Sequence, residues 1–169
     1  MAGSVHRFLT EDHARLDALL RRALADPEAI DLDAYTQFRA GLLRHIAMEE
    51  KILMPEARRL RGGDPLPIAA RLREDHAALA ALLVPTPTPE ILRAVAEILA
   101  EHNVLEERDG GMYEACETLL AHTDAELDAL LARVLATPEV PMARHFDGPR
   151  VHEHIAELLR TRAARREPA

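Results

Sequence analysis

Apolar residues recur every three or four positions through most of the chain, which is the period of one face of an α-helix. Capping residues, prolines and glycines divide this pattern into segments. Ser4 can cap the first helix, and Asp31 or Asp33 the second. Proline directly follows Asp64 and Thr88, which marks two helix starts, because proline fits the first helical position. The pattern predicts four long helices, over about residues 4–25, 32–61, 65–84 and 89–122.

Further helices are predicted after the fourth. Thr123 and Glu126 have the spacing of a capping box, which predicts a fifth helix that ends near Ala136. Residues 137–148 are typical of a loop, and Pro149 can start a short final helix that frays into a charged tail.

Composition agrees with a helical fold. Hydrophobic residues make up 48% of the chain, but aromatic residues only 3%, so the apolar content is mostly Ala and Leu, which favour helix over sheet. Short turns between four helices make neighbours antiparallel. The predicted fold class is therefore all-α, an antiparallel up-down-up-down four-helix bundle with one or two additional C-terminal helices. We expect residues 1–122 to form the bundle and residues 123–169 to be a helical extension packed on the same domain.

Charge and cysteine content exclude several classes of partner. The formal net charge is -8, which disfavours binding to nucleic acid or to an anionic membrane. The single cysteine, Cys116, cannot form an internal disulfide, and residues 1–10 lack the apolar segment of a secretory signal. No apolar run approaches the roughly 18 residues that cross a bilayer. We therefore expect a cytoplasmic protein without a nucleic-acid or membrane partner.

The most informative feature is an internal duplication. Residues 11–20, EDHARLDALL, match residues 74–83, EDHAALAALL, at eight of ten positions. Downstream, HIAMEE at 45–50 is echoed by HNVLEE at 102–107. Each half therefore carries a histidine on its first helix and a His-x-x-x-Glu motif on its second.

The spacing of these motifs directs their side chains toward the core. Residues four apart lie on one face of a helix, so the histidine and glutamate of each His-x-x-x-Glu motif can reach one point. His13 and His76 lie on stripes of leucine. Two carboxylates and four imidazoles buried among Leu and Ala are strongly destabilising unless something compensates them, and divalent metal ions do so. The predicted metal ligands are His13, His45, Glu49, His76, His102 and Glu106.

The donor types narrow the choice of metal. Two histidines and one carboxylate for each ion match the ligand set of non-haem Fe(II) sites, which leaves open positions. Structural zinc prefers cysteine, and magnesium or calcium prefers cages of oxygen. Two metal ions bridged by Glu49 and Glu106 are the economical arrangement, and manganese or a mixed pair stays open.

With both halves in order, the sequence resembles the hemerythrin-like (HHE cation-binding) family over about residues 5–120. The resemblance implies two iron ions joined by an oxo or hydroxo bridge, held by the six predicted ligands in an up-down-up-down bundle, with an open position for O2 or NO. Oxygen-carrying hemerythrins use five histidines, two of them one turn apart on the third helix. Here Leu72 and Ala80 stand one turn from His76, so a coordination position is left without a histidine. The resemblance to oxygen-carrying hemerythrins therefore does not predict reversible O2 carriage for this sequence.

Several other residues are candidates to complete the site. Asp17 lies one turn after His13, and Tyr113 lies seven residues after Glu106 on the same stripe, although Gly110-Gly111 can break that helix. His6 is roughly 10 Å from His13 by helical rise, too far to share a metal ion directly.

Outside the ligands themselves, Asp12 and Asp75 directly precede candidate histidines and can orient imidazoles, whereas Glu50 and Glu107 are expected to be solvated. Tyr35 and Cys116 are assigned to the core. His145, His152 and His154 could form a second, weaker metal site, but His152 and His154 point to different sides of a helix, which disfavours it.

Two functions fit this site. The first is a non-haem di-iron protein that binds a diatomic ligand, O2 or NO, for sensing, storage or stress protection. The alternative is a di-iron oxidoreductase acting on peroxide, NO or an organic substrate, so whether the chain is an enzyme is left open. A third possibility is a metal-free bundle whose added helices bind a partner protein.

Overall fold

All regular elements in the part of the chain that the computed structural model describes, residues 3–166, are helical, and no strand occurs there. The helices are α1 Ser4–Ala23, α2 Leu32–Met48, α3 Met54–Leu60, α4 Ala69–Leu82, α5 Pro89–Glu107, α6 Met112–Leu120, α7 Asp124–Leu135 and α8 Pro149–Arg166. A π-helical turn, Glu49–Leu53, joins α2 to α3. The predicted all-α class is confirmed. Within the same range no helix is both long and apolar enough to cross a membrane.

Side-chain caps account for several helix starts. The Asp31 carboxylate accepts a hydrogen bond of 2.9 Å from the Ala34 amide, so Asp31 rather than Asp33 caps α2. The Thr88 hydroxyl caps α5 in the same way. The predicted capping box at Thr123 is present at the start of α7.

The prediction that Ser4 caps α1 is wrong. Ser4 is the first helical residue, and the preceding Gly3 offers no side chain. The Glu117 carboxylate takes this role from α6, accepting hydrogen bonds from the amides of Gly3 at 2.9 Å and His6 at 2.8 Å. A carboxylate at a helix N-terminus also interacts favourably with the helix dipole, so α6 fixes the start of α1.

The predicted start of the third helix is also wrong. α4 begins at Ala69 rather than directly after Asp64. Pro67 is the reason, because a proline disfavours helical backbone at the residue before it.

Both helices that carry a His-x-x-x-Glu motif lose α-helical regularity just after the glutamate. The π-helical turn begins at Glu49, and α5 ends at Glu107. Gly110 then adopts a φ of 71°, a conformation that favours glycine. The predicted fourth helix to about residue 122 is therefore divided into α5 and α6, at the glycine pair that the sequence offered as a break. Such irregular turns are frequent at functional sites.

Two apolar clusters fill the core. The first core cluster includes Leu16, Leu42, Leu79 and Leu99. The second core cluster includes Leu9, Met48, Leu72 and Met112. Along the chain, each of the four histidines in the duplicated motifs lies between a residue of one cluster and a residue of the other. His13, for example, lies between Leu9 and Leu16. The buried ionisable side chains therefore lie between two apolar clusters.

The C-terminal helices pack on these clusters. α7 contacts α1 and contributes Leu130 and Val134 to the second core cluster. α8 contacts α4 and contributes Ile155 to the first.

Candidate metal centre

The structure brings all six predicted ligands together. The four histidines are buried, and Glu49 and Glu106 have a relative exposure of 0%. They form two overlapping groupings, in each of which the donor atoms lie within 4.8 Å of one another. The first grouping is His13, His45, Glu49 and Glu106. The second grouping is Glu49, His76, His102 and Glu106.

Each glutamate divides its two oxygens between the groupings. Glu49 Oε1 lies 3.2 Å from Nε2 of His45, and Glu49 Oε2 lies 3.1 Å from Nε2 of His76. Glu106 Oε1 lies 3.1 Å from Nε2 of His102, and Glu106 Oε2 lies 3.4 Å from Nε2 of His13. A carboxylate in this position can bridge two neighbouring cations, one in each grouping.

Two of these carboxylate oxygens have no hydrogen-bond donor. Glu49 Oε2 and Glu106 Oε1 are buried and unpaired, because the approach of the nearby histidine nitrogens does not have hydrogen-bond geometry. Leaving a buried acceptor unsatisfied costs about 1–3 kcal/mol, and more if it is charged. A metal ion between the oxygen and the nitrogen removes this penalty, so the donor set fits a cation.

The outer nitrogens of the histidines face carboxylates. Nδ1 of His13 lies 2.6 Å from Glu107 Oε1, and Nδ1 of His76 lies 2.8 Å from Glu50 Oε1. Both glutamates were expected to be solvated rather than ligands. Neither belongs to a donor grouping, but each is only partly exposed and reaches a histidine of the other half of the duplication. The repeated Glu-Glu pair was the signal that could have identified them.

The aspartates complete this outer set within each half. Asp12 Oδ2 lies 2.8 Å from Nδ1 of His45, and Asp75 Oδ2 lies 3.5 Å from Nδ1 of His102. The role predicted for the aspartates, orienting imidazoles, is supported at Asp12 by a hydrogen bond, whereas the contact of Asp75 with His102 lacks hydrogen-bond geometry. Carboxylates can only accept, so a neutral ring keeps its proton on Nδ1 and presents its Nε2 lone pair to the centre.

Tyr113 is the candidate that the structure places inside the site. Its hydroxyl donates a hydrogen bond of 2.7 Å to Glu49 Oε1 and lies 3.0 Å from Nε2 of His13. It is also 3.2 Å from Nε2 of His45. Burial and the two nearby glutamate charges raise the pKa of Tyr113 well above its usual value, so the hydroxyl keeps its proton. The Tyr113 hydroxyl therefore lies beside both histidines of the first grouping.

The other candidates lie outside the two groupings. Asp17 forms a surface ion pair with Arg21. The centre of the His6 ring is 5.6 Å from the centre of the Tyr113 ring. His6 belongs to neither donor grouping. Tyr35 is a core residue as predicted.

Three C-terminal histidines and the cysteine lie away from the two groupings. His145 stacks on a core tyrosine ring, and His152 lies 3.7 Å from Asp147 on the surface. Neither they nor His154 belongs to a donor grouping within residues 3–166. Burial raises the pKa of the Cys116 thiol to about 12, so it is an unreactive core side chain.

Charge within the cluster shifts the histidine equilibria. Burial disfavours the charged form of His45, but the Glu49 charge and the contact with Asp12 outweigh it and raise the pKa of His45 to about 10. Burial likewise opposes the charge of His102, and Asp75 and Glu106 outweigh it to give a pKa of about 10. The same pairing, against the effect of burial, lowers the pKa of Glu49 well below its usual value.

We predict that the metal-free protein loses stability as the pH rises from 6.5 toward about 10. A histidine whose folded pKa of about 10 exceeds its ordinary value of 6.5 contributes stability that is complete below 6.5 and is lost as the pH passes through the folded value. Urea unfolding of the chelated protein across this range measures the effect, and a His45→Gln variant should show a flatter dependence. A free energy of unfolding that stayed constant or rose would contradict the prediction.

The comparison with known families agrees with this geometry. No curated protein and no solved structure gives a significant match to the chain. The family model described as "Hemerythrin HHE cation binding domain" matches residues 4–167, nearly the whole sequence. The chain therefore belongs to the hemerythrin family of HHE cation-binding domains.

Proposed function

We propose that the protein holds two iron ions at the two groupings and binds a diatomic ligand, O2 or NO, for sensing, storage or stress protection. The observation that carries the proposal is the division of each glutamate between the groupings, with one oxygen directed to each. A single ion would not use both oxygens of both carboxylates in this way.

The number of donors supports iron with an open position. Each grouping offers two histidine nitrogens and two carboxylate oxygens. Iron held by imidazole and carboxylate donors can take further ligands, and it supplies open coordination positions and redox chemistry toward a diatomic molecule. Manganese or a mixed pair would be revealed by metal analysis.

The chain's own groups prepare the site for this ligand. The outer carboxylates fix the ring of each histidine and direct Nε2 inward. The oxygen of the protonated Tyr113 hydroxyl lies within 3.2 Å of Nε2 of both histidines of the first grouping. We infer that this hydroxyl can donate to a small bound ligand, and that it makes the two metal positions chemically unequal.

Helix order supports an antiparallel bundle as the frame of the site. α1 and α4 run from the second core cluster to the first, whereas α2 and α5 run from the first to the second. We infer the up-down-up-down arrangement from this alternation. The contributions of α7 and α8 to the same clusters support residues 123–169 as an extension of one domain.

A narrow route to the site favours a small ligand over an organic substrate. A cleft of about 90 Å³ between α1 and α5 reaches His13. Leu16, Leu20, Ala96, Leu99 and Ala100 form its apolar lining. One water molecule occupies about 30 Å³ in the liquid, so the cleft has room for a diatomic molecule. We propose that O2 or NO enters here.

We predict that Ala100→Trp slows ligand entry. Ala100 is exposed at this cleft, so the indole can cover it without displacing core residues. The association rate of NO with the ferrous protein should fall roughly tenfold, which corresponds to about 1.4 kcal/mol of added barrier. Stopped-flow absorbance measures it, with Ala70→Trp on an exposed position of α4 as the control. Equal rates in the two variants would argue for another entrance.

Metal analysis and optical spectra test the proposed function directly. Protein purified without chelator should contain two iron ions per chain. The reduced protein should gain an absorption band with O2 or NO that disappears when the gas is removed. Steady consumption of added peroxide would instead favour the di-iron oxidoreductase. Failure to take up ferrous iron would contradict the proposal.

A further inference from the structure

We infer that the C-terminal helix α8 supports the second metal position, with Arg162 acting as a positioning residue through Asp75 and His102. The inference rests on the proposed function, because it assigns α8 a role in metal binding at the second grouping. It also implies that metal binding and the docking of α8 stabilise each other.

The connection is a chain of buried polar contacts. Nη1 of Arg162 lies 3.0 Å from Asp75 Oδ1. Asp75 Oδ2 lies 3.5 Å from Nδ1 of His102, an ion-pair distance without hydrogen-bond geometry. Nε of Arg71 lies 3.0 Å from the same Oδ2. Asp75 has a relative exposure of 0%, so its negative charge depends on these partners. A buried carboxylate that loses one of them reorients, and its contact with His102 then changes.

The equivalent contact in the first half does not involve the C-terminal region. Asp12, which faces Nδ1 of His45, pairs with Arg15 one turn away on its own helix. The side chain of Arg15 is 51% exposed, whereas that of Arg162 is only 19% exposed. A solvated partner from the same helix contributes little. The two metal positions therefore differ in their dependence on a distant helix.

The rest of the α8 interface consists of apolar contacts and a second ion pair, with clefts beside them. Clefts of about 240 Å³ and 300 Å³ lie beside α8, and Arg162 lines both. Ile155 of α8 is buried in the first core cluster, and Val151, Leu158 and Leu159 pack against that cluster. Arg165 forms a second ion pair with α4, at 2.7 Å from Glu74, but both side chains are more than half exposed. The contact between Arg162 and the buried Asp75 is therefore the less exposed of the two ion pairs that join α8 to α4.

Thermodynamic linkage gives this arrangement a measurable consequence. If docked α8 favours the His102 orientation that binds metal, then metal at the second position must favour docked α8 by the same factor. Loss of a partner that orients a metal ligand lowers affinity by about 10–100-fold, and Asp75 keeps Arg71 when Arg162 is removed. We therefore expect the lower end of this range.

The first experiment measures ferrous iron binding by anaerobic equilibrium dialysis in the full chain. In Arg162→Ala, one of the two affinities should fall about tenfold while the other is unchanged. Arg162→Lys, which keeps the charge, should recover most of the loss. The matched control is Arg165→Ala, which removes an ion pair from the same helix without touching Asp75 and should leave both affinities unchanged.

The second experiment uses the wild-type protein and does not depend on the folding of a variant. Hydrogen exchange of the α8 amides is followed by mass spectrometry with and without ferrous iron. Iron should slow exchange in α8 by about the same tenfold factor. In Arg162→Ala that dependence should be lost.

The outcomes separate this inference from the proposed function. Two bound iron ions in the wild type, with unchanged affinities in Arg162→Ala, would overturn the role of α8 and leave the di-iron site intact. Iron binding without any change in α8 exchange would do the same. If the wild type takes up no ferrous iron, the proposed function and this inference fail together.

Discussion

Replacing Glu106 with alanine should empty both metal positions at once. Glu106 contributes Oε2 to the first grouping and Oε1 to the second, at 3.4 Å and 3.1 Å from histidine nitrogens. Loss of a bridging ligand therefore weakens both sites, and each affinity should fall by more than about 100-fold, beyond the range for residues that only orient ligands. Iron content after dialysis, measured by mass spectrometry, should drop from two ions per chain to nearly none.

Two other glutamates of α5 make this experiment specific. Glu107→Ala removes a carboxylate that contacts Nδ1 of His13, so it should lower affinity by about 10–100-fold and only at the first position. Glu90→Ala alters an exposed glutamate in the first turn of the same helix and should change nothing. Circular dichroism checks that each variant remains helical. Near-normal iron in folded Glu106→Ala would contradict the bridging role.

Adding ferrous iron to the chelated protein should raise its melting temperature by about 8–16 °C. A ligand that binds only the folded state at 1,000 times its dissociation constant adds about 4 kcal/mol of stability. For a chain of this size, each kcal/mol corresponds to about 2–4 °C. The physical source is the replacement of unpaired buried groups, such as Glu49 Oε2 and Glu106 Oε1, by bonds to metal.

Differential scanning calorimetry under anaerobic conditions measures the shift. Glu106→Ala is the control, because it lacks the carboxylate shared by the two groupings and should show no response to iron. Identical melting of chelated and loaded wild-type protein would mean that the cluster does not bind iron in the folded state.

The duplication explains why the site has approximate two-fold symmetry. Each aspartate faces a histidine of its own half, as Asp12 does with His45. Each second glutamate faces a histidine of the other half, as Glu107 does with His13. Repeating one helical pair thus produced two half-sites that complete each other. Tyr113 lies in MYEA at 112–115, which echoes MPEA at 54–57, so a proline stands at its equivalent in the first half. Arg162 lies outside the duplication. These two residues make the surroundings of the two groupings different.

The amino-acid sequence by itself determined the helical class, most helix ends and the choice of the six central residues. These features are local, because caps, prolines and the four-residue spacing of His45 and Glu49 act within one turn of helix. The prediction for the start of α1 failed because a side chain from another helix caps it. Glu117 caps α1 from α6, and the sequence near Ser4 contains no sign of this.

Only the tertiary structure decided which groups surround the central six. Glu50 and Glu107 each directly follow a motif glutamate, at positions that the sequence pattern predicts to be exposed. Their contacts with histidines of the other half depend on how two helices pack. The Tyr113 hydroxyl reaches the first grouping because α5 breaks before α6, which redirects the chain. Arg162 meets Asp75 from 87 residues away. Contacts at such separations are fixed by packing rather than by local preference, so periodicity in the sequence does not encode them.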